Sequence, residues 1–234
     1  MFNKNKQKSE RSILITHDIP KSTISEKFRG IRSNIQFSSV DEPISSIVVT
    51  SEKPSSGKST VAANIAVTYA QAGYDTLLID GDLRKPTAHY IFKMNNSSGL
   101  SSLIIKNTSL YEAVQETEVD NLSILTSGPI PPNPSELIGS SNFENLIKQL
   151  EEKYDFIVID SPPVNTVTDA QLYAETVSNS LLVIDTEENN RNEIVKAKNL
   201  LEKAGSRILG VVLNKAPFEK NNSYYYYYAE ENSK

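Results

Sequence analysis

Five short apolar runs punctuate the chain: Ile47-Val-Val-Thr50, Thr76-Leu-Leu-Ile-Asp80, Phe156-Ile-Val-Ile-Asp160, Leu181-Leu-Val-Ile-Asp185 and Ile208-Leu-Gly-Val-Val-Leu-Asn214. Each is continuous rather than alternating, the pattern of a strand covered on both faces. Helical spacing fills the intervals. Val61, Ile65 and Tyr69 recur along Ser59–Ala72 before Gly73, and Asn192–Ala204 runs up to Gly205. Asn133-Pro-Ser-Glu136 reads as a helix start, with proline at the first helical position. Ser22–Ile35 is amphipathic, with Ile24, Phe28, Ile31 and Ile35 as its apolar stripe. Such strand–helix alternation predicts an α/β fold with a doubly wound, mostly parallel sheet. Three of the five runs end in Asp and one in Asn, at the strand ends where ligands of such sheets bind. Outside this pattern lie a polar segment, 1–20, expected to be mobile, and a segment, 217–234, expected to be a flexible tail. Between them, 21–216 is expected to form the folded unit.

Composition narrows the chemistry. The 234 residues contain no cysteine, which excludes disulfides, thiolate metal sites, cysteine-ligated iron–sulfur clusters and cysteine nucleophiles. A net charge of −5 gives no basic field to steer the protein to nucleic acid, so no nucleic-acid partner is expected. No apolar run approaches the ~20 residues that span a bilayer. Lys4, Lys6 and Lys8 make the N-terminus basic, but no apolar stretch follows as in a signal peptide. A cytoplasmic protein is expected.

The first strand runs into Ser51-Glu-Lys-Pro-Ser-Ser-Gly-Lys-Ser-Thr60 and then a helix. Gly57-Lys58-Ser59 is the second half of a P-loop in the strand–loop–helix context the motif requires. Backbone amides of Lys53, Ser55, Ser56, Gly57 and Thr60 would surround phosphate oxygens, Lys58 would neutralise their charge, and the Ser59 hydroxyl suits Mg2+. The usual first glycine is replaced by Glu52, and Ser55 stands where glycine is common, so the loop resembles the deviant Walker A form K-x-x-x-G-K with Lys53 as its signature lysine. Asp80 and Asp82, one residue apart at a strand end, can converge on one Mg-phosphate site. One of them could instead merely close a turn around Gly81. Either carboxylate could accept a proton from an attacking hydroxyl, and Arg84 could balance charge. Asp160 resembles a Walker B acid. Asn214 is a candidate for contacting the nucleotide base, with strand-end capping an equal alternative.

Together Pro-Ser-Ser-Gly-Lys-Ser-Thr, Leu-Leu-Ile-Asp-Gly-Asp-Leu-Arg-Lys-Pro, Val-Ile-Asp-Ser-Pro-Pro and the tyrosine cluster Tyr224-Tyr225-Tyr226-Tyr227-Tyr228 resemble the bacterial tyrosine kinases, over nearly the whole chain. The likeness is to the capsule-associated cytoplasmic kinases of Gram-positive bacteria, and the loop Gly128-Pro-Ile-Pro-Pro-Asn-Pro-Ser-Glu-Leu is also similar. It implies a P-loop NTPase fold and ATP as phosphoryl donor. Asp80 and Asp82 would be the Walker A′ acids, with Asp80 the base on the acceptor tyrosine. Ser59, Asp82 and Asp160 would hold Mg2+. The five tyrosines would be autophosphorylated between neighbours in a homo-oligomeric ring. A transmembrane adaptor would recruit the kinase to the inner face of the membrane and stimulate it, and enzymes of capsular or extracellular polysaccharide synthesis and export would be substrates.

Glu26, Arg29 and Arg32 step along the Ser22–Ile35 helix three residues apart, and the resemblance makes this E-x-x-R-x-x-R pattern a subunit contact. From the residues alone, Thr23 and Glu26 also fit a capping box. The tyrosine run favours strands by composition, yet has no inside–outside alternation and polar neighbours, which suits an exposed acceptor. Two other functions stay open: a partition- or division-site ATPase using water as acceptor, and a nucleotide-dependent assembly subunit of an export complex. The tyrosine run and the Glu26 helix favour the kinase.

Overall fold

The computed structural model describes residues 13–38 and 43–217. Its elements, in chain order, are α1 (Ile15–Asp18), α2 (Thr23–Phe37), β1 (Ser46–Ser51), α3 (Lys58–Ala70), β2 (Thr76–Asp80), α4 (Ala88–Ile91), α5 (Leu100–Ile104), α6 (Leu110–Ala113), β3 (Val114–Glu116), β4 (Leu122–Leu125), α7 (Pro134–Ile138), α8 (Ser141–Glu151), β5 (Phe156–Asp160), α9 (Asp169–Val177), β6 (Asn179–Asp185), α10 (Arg191–Lys203) and β7 (Arg207–Asn214).

One sheet joins the strands in the order β3-β4-β2-β5-β1-β6-β7, parallel throughout except for the antiparallel β3–β4 pair at one edge. All five apolar runs are strands, but β7, at the sheet edge, is not covered on both faces as its apolar run suggested: Val211 and Leu213 are exposed. The two further strands, β3 and β4, are three and four residues long, too short to show a period. The continuous apolar character of the central strands follows from the two layers they serve. Ile47, Val49, Leu78 and Val158 face the side carrying α2 and α3, where Val61, Ile65 and Phe28 lie. Val48, Leu77, Ile79, Ile157 and Ile159 face the other side, against Phe143, Leu146, Ile147 and Leu150 of α8 and Tyr173 of α9. Burying each such side chain stabilises the fold by ~1.5–3 kcal/mol.

Two local expectations change. The N-cap of α2 is Ser22, whose hydroxyl accepts from the Ser25 N–H (3.0 Å), rather than Thr23 in a capping box. Glu26 is therefore free of the cap and pairs with Arg29 on its own helix. In the N-terminal segment expected to be mobile, Ile15 and Thr16 are buried. The amide N–H and hydroxyl of Thr16 both donate to Asn64 Oδ1 on α3 (3.0 and 2.8 Å). Asn64 Nδ2 in turn donates to the carbonyls of Ile13 and Thr60. The fold thus takes in residues N-terminal to 20.

Candidate active site

The carboxyl ends of β1, β2 and β5 meet at one point of the sheet because β5 lies between the other two, with Asp80 directly opposite Asp160 in register. The loop from Glu52 to Gly57 rises from β1, and α3 begins at Lys58. Two residues of the loop are left-handed: Gly57 at φ +90° and Ser55 at φ +63°. A non-glycine residue there stores roughly 1–2 kcal/mol of strain, so Ser55 occupies a conformation that glycine would take freely. At Gly57 a Cβ would come within 2.1 Å of Asn214 Nδ2, so this position demands glycine.

Lys58 Nζ sits among acids. It lies 3.3 Å from Asp82 Oδ2, 3.5 Å from Asp160 Oδ1 and 3.3 Å from the Ser59 hydroxyl. Burial opposes its charge, but Asp160 and Asp82 outweigh burial and raise its pKa. Asp160 is raised by its burial, against the lowering effect of Lys58 and Ser59. Asp80 is fully buried. Its Oδ2 accepts from the Thr87 and Ala88 amides (3.0 and 2.9 Å), and its Oδ1 has no partner. Burial first, then the neighbouring Asp160 charge, push the Asp80 carboxyl up to about 7, against the two amide bonds. A base of that pKa is matched to work near neutral pH.

The expected site residues fall into three groups. Lys58, Ser59, Asp80, Asp82 and Asp160 converge. Asp160 Oδ1 is engaged only by the Lys58 ion pair, and Asp160 Oδ2 and Asp80 Oδ1 are buried without a hydrogen-bond partner, which leaves hard oxygen donors in the cluster. Among the described residues no three His, Cys, Asp or Glu side chains form a stand-alone metal site. Mg2+ needs none, since it binds through one or two carboxylates, waters and substrate phosphates. The residues present fit it.

A second group supports the loop. Ser56 is buried and its hydroxyl donates to the Lys53 carbonyl (3.0 Å), so only its backbone faces a ligand. Asn214 Nδ2 donates to the Ser56 carbonyl (2.8 Å), and its amide is spent on the loop in this conformation. Lys53 reaches the carbonyl of Glu188 and lies 3.7 Å from Asp185 Oδ2. Lys215 donates to the same Asp185 (2.7 Å), and that bond holds the Asp185 carboxyl below its usual range. Thr60 lies in the first turn of α3, where it is half-buried.

The third group lies outside the cluster. Arg84 makes a bidentate pair with Asp169, Nε to Oδ2 at 2.9 Å and Nη2 to Oδ1 at 3.0 Å. Asp169 was not legible in the sequence, because it lies 85 residues on, at the first residue of α9, with no motif of its own. Arg29 pairs with Glu26 and with the Pro20 carbonyl. Arg32 Nη1 donates to the Thr68 carbonyl of α3 (2.6 Å). Each residue of the motif has a partner within the chain, while Arg32 Nε is buried without one and Glu26 stays largely exposed. Tyr224–Tyr228 lie outside the described residues.

A loop of this form at the end of β1, a lysine among strand-end acids and a parallel sheet of this order define a P-loop NTPase with a deviant Walker A loop. A family model described as an AAA domain matches residues 44–203. The chain is 63% identical over 218 residues to "Putative tyrosine-protein kinase CapB" of Staphylococcus aureus, covering 93% of this chain and 96% of that one. It is 42% identical over 213 residues to tyrosine-protein kinase YwqD of Bacillus subtilis (strain 168), covering 91% and 90%. A crystal structure of the chimerical protein CapA2B2 superposes with a TM-score of 0.86 at 56% identity, over 88% of this chain and 91% of that one. The chain belongs to the bacterial tyrosine kinases of the capsule-system type, and is a protein-tyrosine kinase that binds ATP.

Proposed function

We propose that this kinase transfers the γ-phosphoryl group of Mg-ATP to Tyr224–Tyr228 of a second copy, within a ring joined through the Glu26/Arg29/Arg32 helix. The observation that carries the chemistry is the convergence of Lys58, Asp80, Asp82 and Asp160 at the ends of adjacent strands. Ser59, Asp82 and Asp160 would hold Mg2+, which when bound offsets charge on the phosphates. Lys58 neutralises the β/γ oxygens and fixes them for in-line attack. Asp80 Oδ1, the oxygen left free by the Thr87 and Ala88 amides, takes the proton from the acceptor hydroxyl. The tyrosine oxygen bonds to the γ-phosphorus, the bond to the bridging oxygen breaks, ADP departs, and Asp80 returns its proton to solvent.

Two names among the relatives, a tyrosine kinase CapB and a CapA–CapB chimera, support a place in polysaccharide capsule production with a membrane adaptor. No helix of the described residues is long and apolar enough to cross a membrane, so a separate adaptor would bring the kinase from the cytoplasm to the inner membrane face. Polysaccharide-synthesis enzymes would be its further substrates.

The test is incubation of the full chain with Mg-ATP, with and without the adaptor's cytoplasmic segment, followed by mapping of phosphotyrosine by mass spectrometry. Phosphate on Tyr224–Tyr228 that is lost in Lys58→Met is the expected result. Free phosphate without phosphotyrosine, even with adaptor, would replace the kinase reading with ATP hydrolysis.

A further inference from the structure

Helix α9 presents two polar side chains to one short loop. Asp169 and Tyr173 are four residues apart, hence on one helix face, and both are fully buried. Asp169 accepts from Arg84 twice and from the Ser135 hydroxyl (2.7 Å), so three donors compensate a buried carboxylate. One turn on, the Tyr173 hydroxyl donates to the Gly81 carbonyl (3.0 Å). Gly81 and Arg84 flank Asp82.

The loop is also held by Leu83, fully buried in the core layer, and by the Thr87 and Ala88 amides on Asp80. The Gly81 N–H donates to the Asp160 carbonyl (2.8 Å), and a Cβ at Gly81 would meet that oxygen at 2.8 Å and the Tyr173 ring at 3.0 Å. Asp82 Oδ1 is oriented by the backbone N–H groups of Arg84 (3.4 Å) and Lys85 (3.0 Å). Those amides can point at Asp82 only while the Arg84 backbone stays in place, and the Arg84 side chain is bolted to Asp169. Docking of α9 on its other side is supplied by Ala170 and Ala174, which pack with Leu182 and Ile184. Apolar packing of Ala170, Ala174, Val177 and the Tyr173 ring thus contributes to docking the helix apart from the Tyr173 hydroxyl.

We infer that Asp169 and Tyr173 are positioning residues for phosphoryl transfer: through Arg84 and Gly81 they clamp the loop that sets Asp82 against Lys58 and Asp160. This rests on the roles given above to Asp82, Lys58 and Asp160. Arg84 becomes the middle of the clamp rather than a group on the phosphates. Ser135, bonded to both Arg84 and Asp169, ties α7 and its proline-rich approach to the same point.

The test uses the full chain with Tyr173→Phe and Asp169→Asn, which remove one hydroxyl and one charge without changing side-chain shape. Three readouts are taken. In nucleotide-free protein, amide hydrogen exchange in a peptide spanning 80–90 is expected to rise ~10-fold, with the rest of the chain unchanged. The Mg2+ concentration giving half-maximal ADP binding is expected to rise ~10-fold, while ADP binding in EDTA stays the same. The kcat for phosphotyrosine formation is expected to fall ~10–100-fold with the KM for ATP within a few-fold. If Asp169→Asn fails to fold, Tyr173→Phe and Arg84→Lys carry the test. Folded variants with wild-type exchange at 80–90 and wild-type Mg2+ dependence would overturn the clamp, as would faster exchange spread evenly over the chain. The first two readouts need no phosphotransfer, so they judge the clamp even if the wild-type chain forms no phosphotyrosine.

Discussion

Asp80→Asn should make the nucleotide-free protein more stable while abolishing its activity, and the gain should depend on pH in a defined way. Asparagine keeps an oxygen for the Thr87 and Ala88 amides and places an NH2 where the unpartnered Oδ1 now stands beside Asp160. The wild-type carboxyl has a pKa of about 7 in the folded protein against 3.8 unfolded, so folding favours its protonated form. Below pH ~4 both states carry the proton and the residue exerts no penalty. Between pH 4 and 7 the unfolded chain has lost its proton while the folded one keeps it, and the wild type loses stability as pH rises. Above pH 7 the penalty is complete, ~4 kcal/mol in a rigid site. Water entry and a swing of Lys58 would reduce it, so ~1–4 kcal/mol is the working range. At ~2–4 °C per kcal/mol for a chain of this size, Asp80→Asn should melt at least ~2 °C above wild type at pH 8. At pH 4.5 the gap should shrink to about a quarter of its full size. Calorimetry at both pH values in EDTA, without nucleotide, measures this. An equal gap at the two pH values, or a less stable variant at pH 8, would refute the view that Asp80 is held at an energetic disadvantage.

Lys58→Met should eliminate phosphotyrosine and lower the melting temperature more at pH 8 than at pH 5, because Asp82 and Asp160 then face each other uncompensated; a pH-independent loss would count against that pairing. Gly57→Ala should abolish ADP binding by calorimetry, since its Cβ displaces Asn214 from the Ser56 carbonyl; retained binding would show that the loop tolerates another path. Ser55→Gly should raise stability by ~0.5–1 kcal/mol in chemical denaturation by relieving a left-handed serine, and an unchanged midpoint would refute the strain. Phosphorylation of Tyr224–Tyr228 adds about −1.5 to −2 charges per residue and should convert a ring to smaller species, as read by light scattering. An unchanged mass would refute that coupling.

What could be read in the sequence was what is local in it. The phosphate loop, the strand-end acids and four buried strands are each written in a few consecutive residues, and the structure has them where the pattern puts them; the fifth run, β7, is an edge strand with Val211 and Leu213 exposed. Contacts across long stretches of chain were not readable. Arg84 is assigned to charge balance by its nearness to Asp82 in sequence, yet its guanidinium spans to Asp169, 85 residues away. Asn214 reaches Ser56 across 158 residues, and nothing in either neighbourhood announces the bond. The α2 cap moved by one residue because Ser22 and Thr23 are equal candidates chemically, and only the extended backbone of Ser22 selects it. Helix α8 was legible in principle: Phe143, Leu146, Ile147 and Leu150 have helical spacing behind a Ser140 cap.

The fastening of β7 to the phosphate loop has a mechanical consequence. Asn214 is bonded to Ser56, and Lys215 to Asp185, which also neighbours Lys53. The first tie grips the loop at Ser56, the second reaches it only through Asp185 and Lys53, and Ala216 and Pro217 follow at once. Tension applied at Lys215 therefore loads the nucleotide loop together with the β6–β7 edge, because Asn214 is bonded to both. Loop and β7 are connected in series, so a ligand that reshapes the loop alters the anchorage of the strand end.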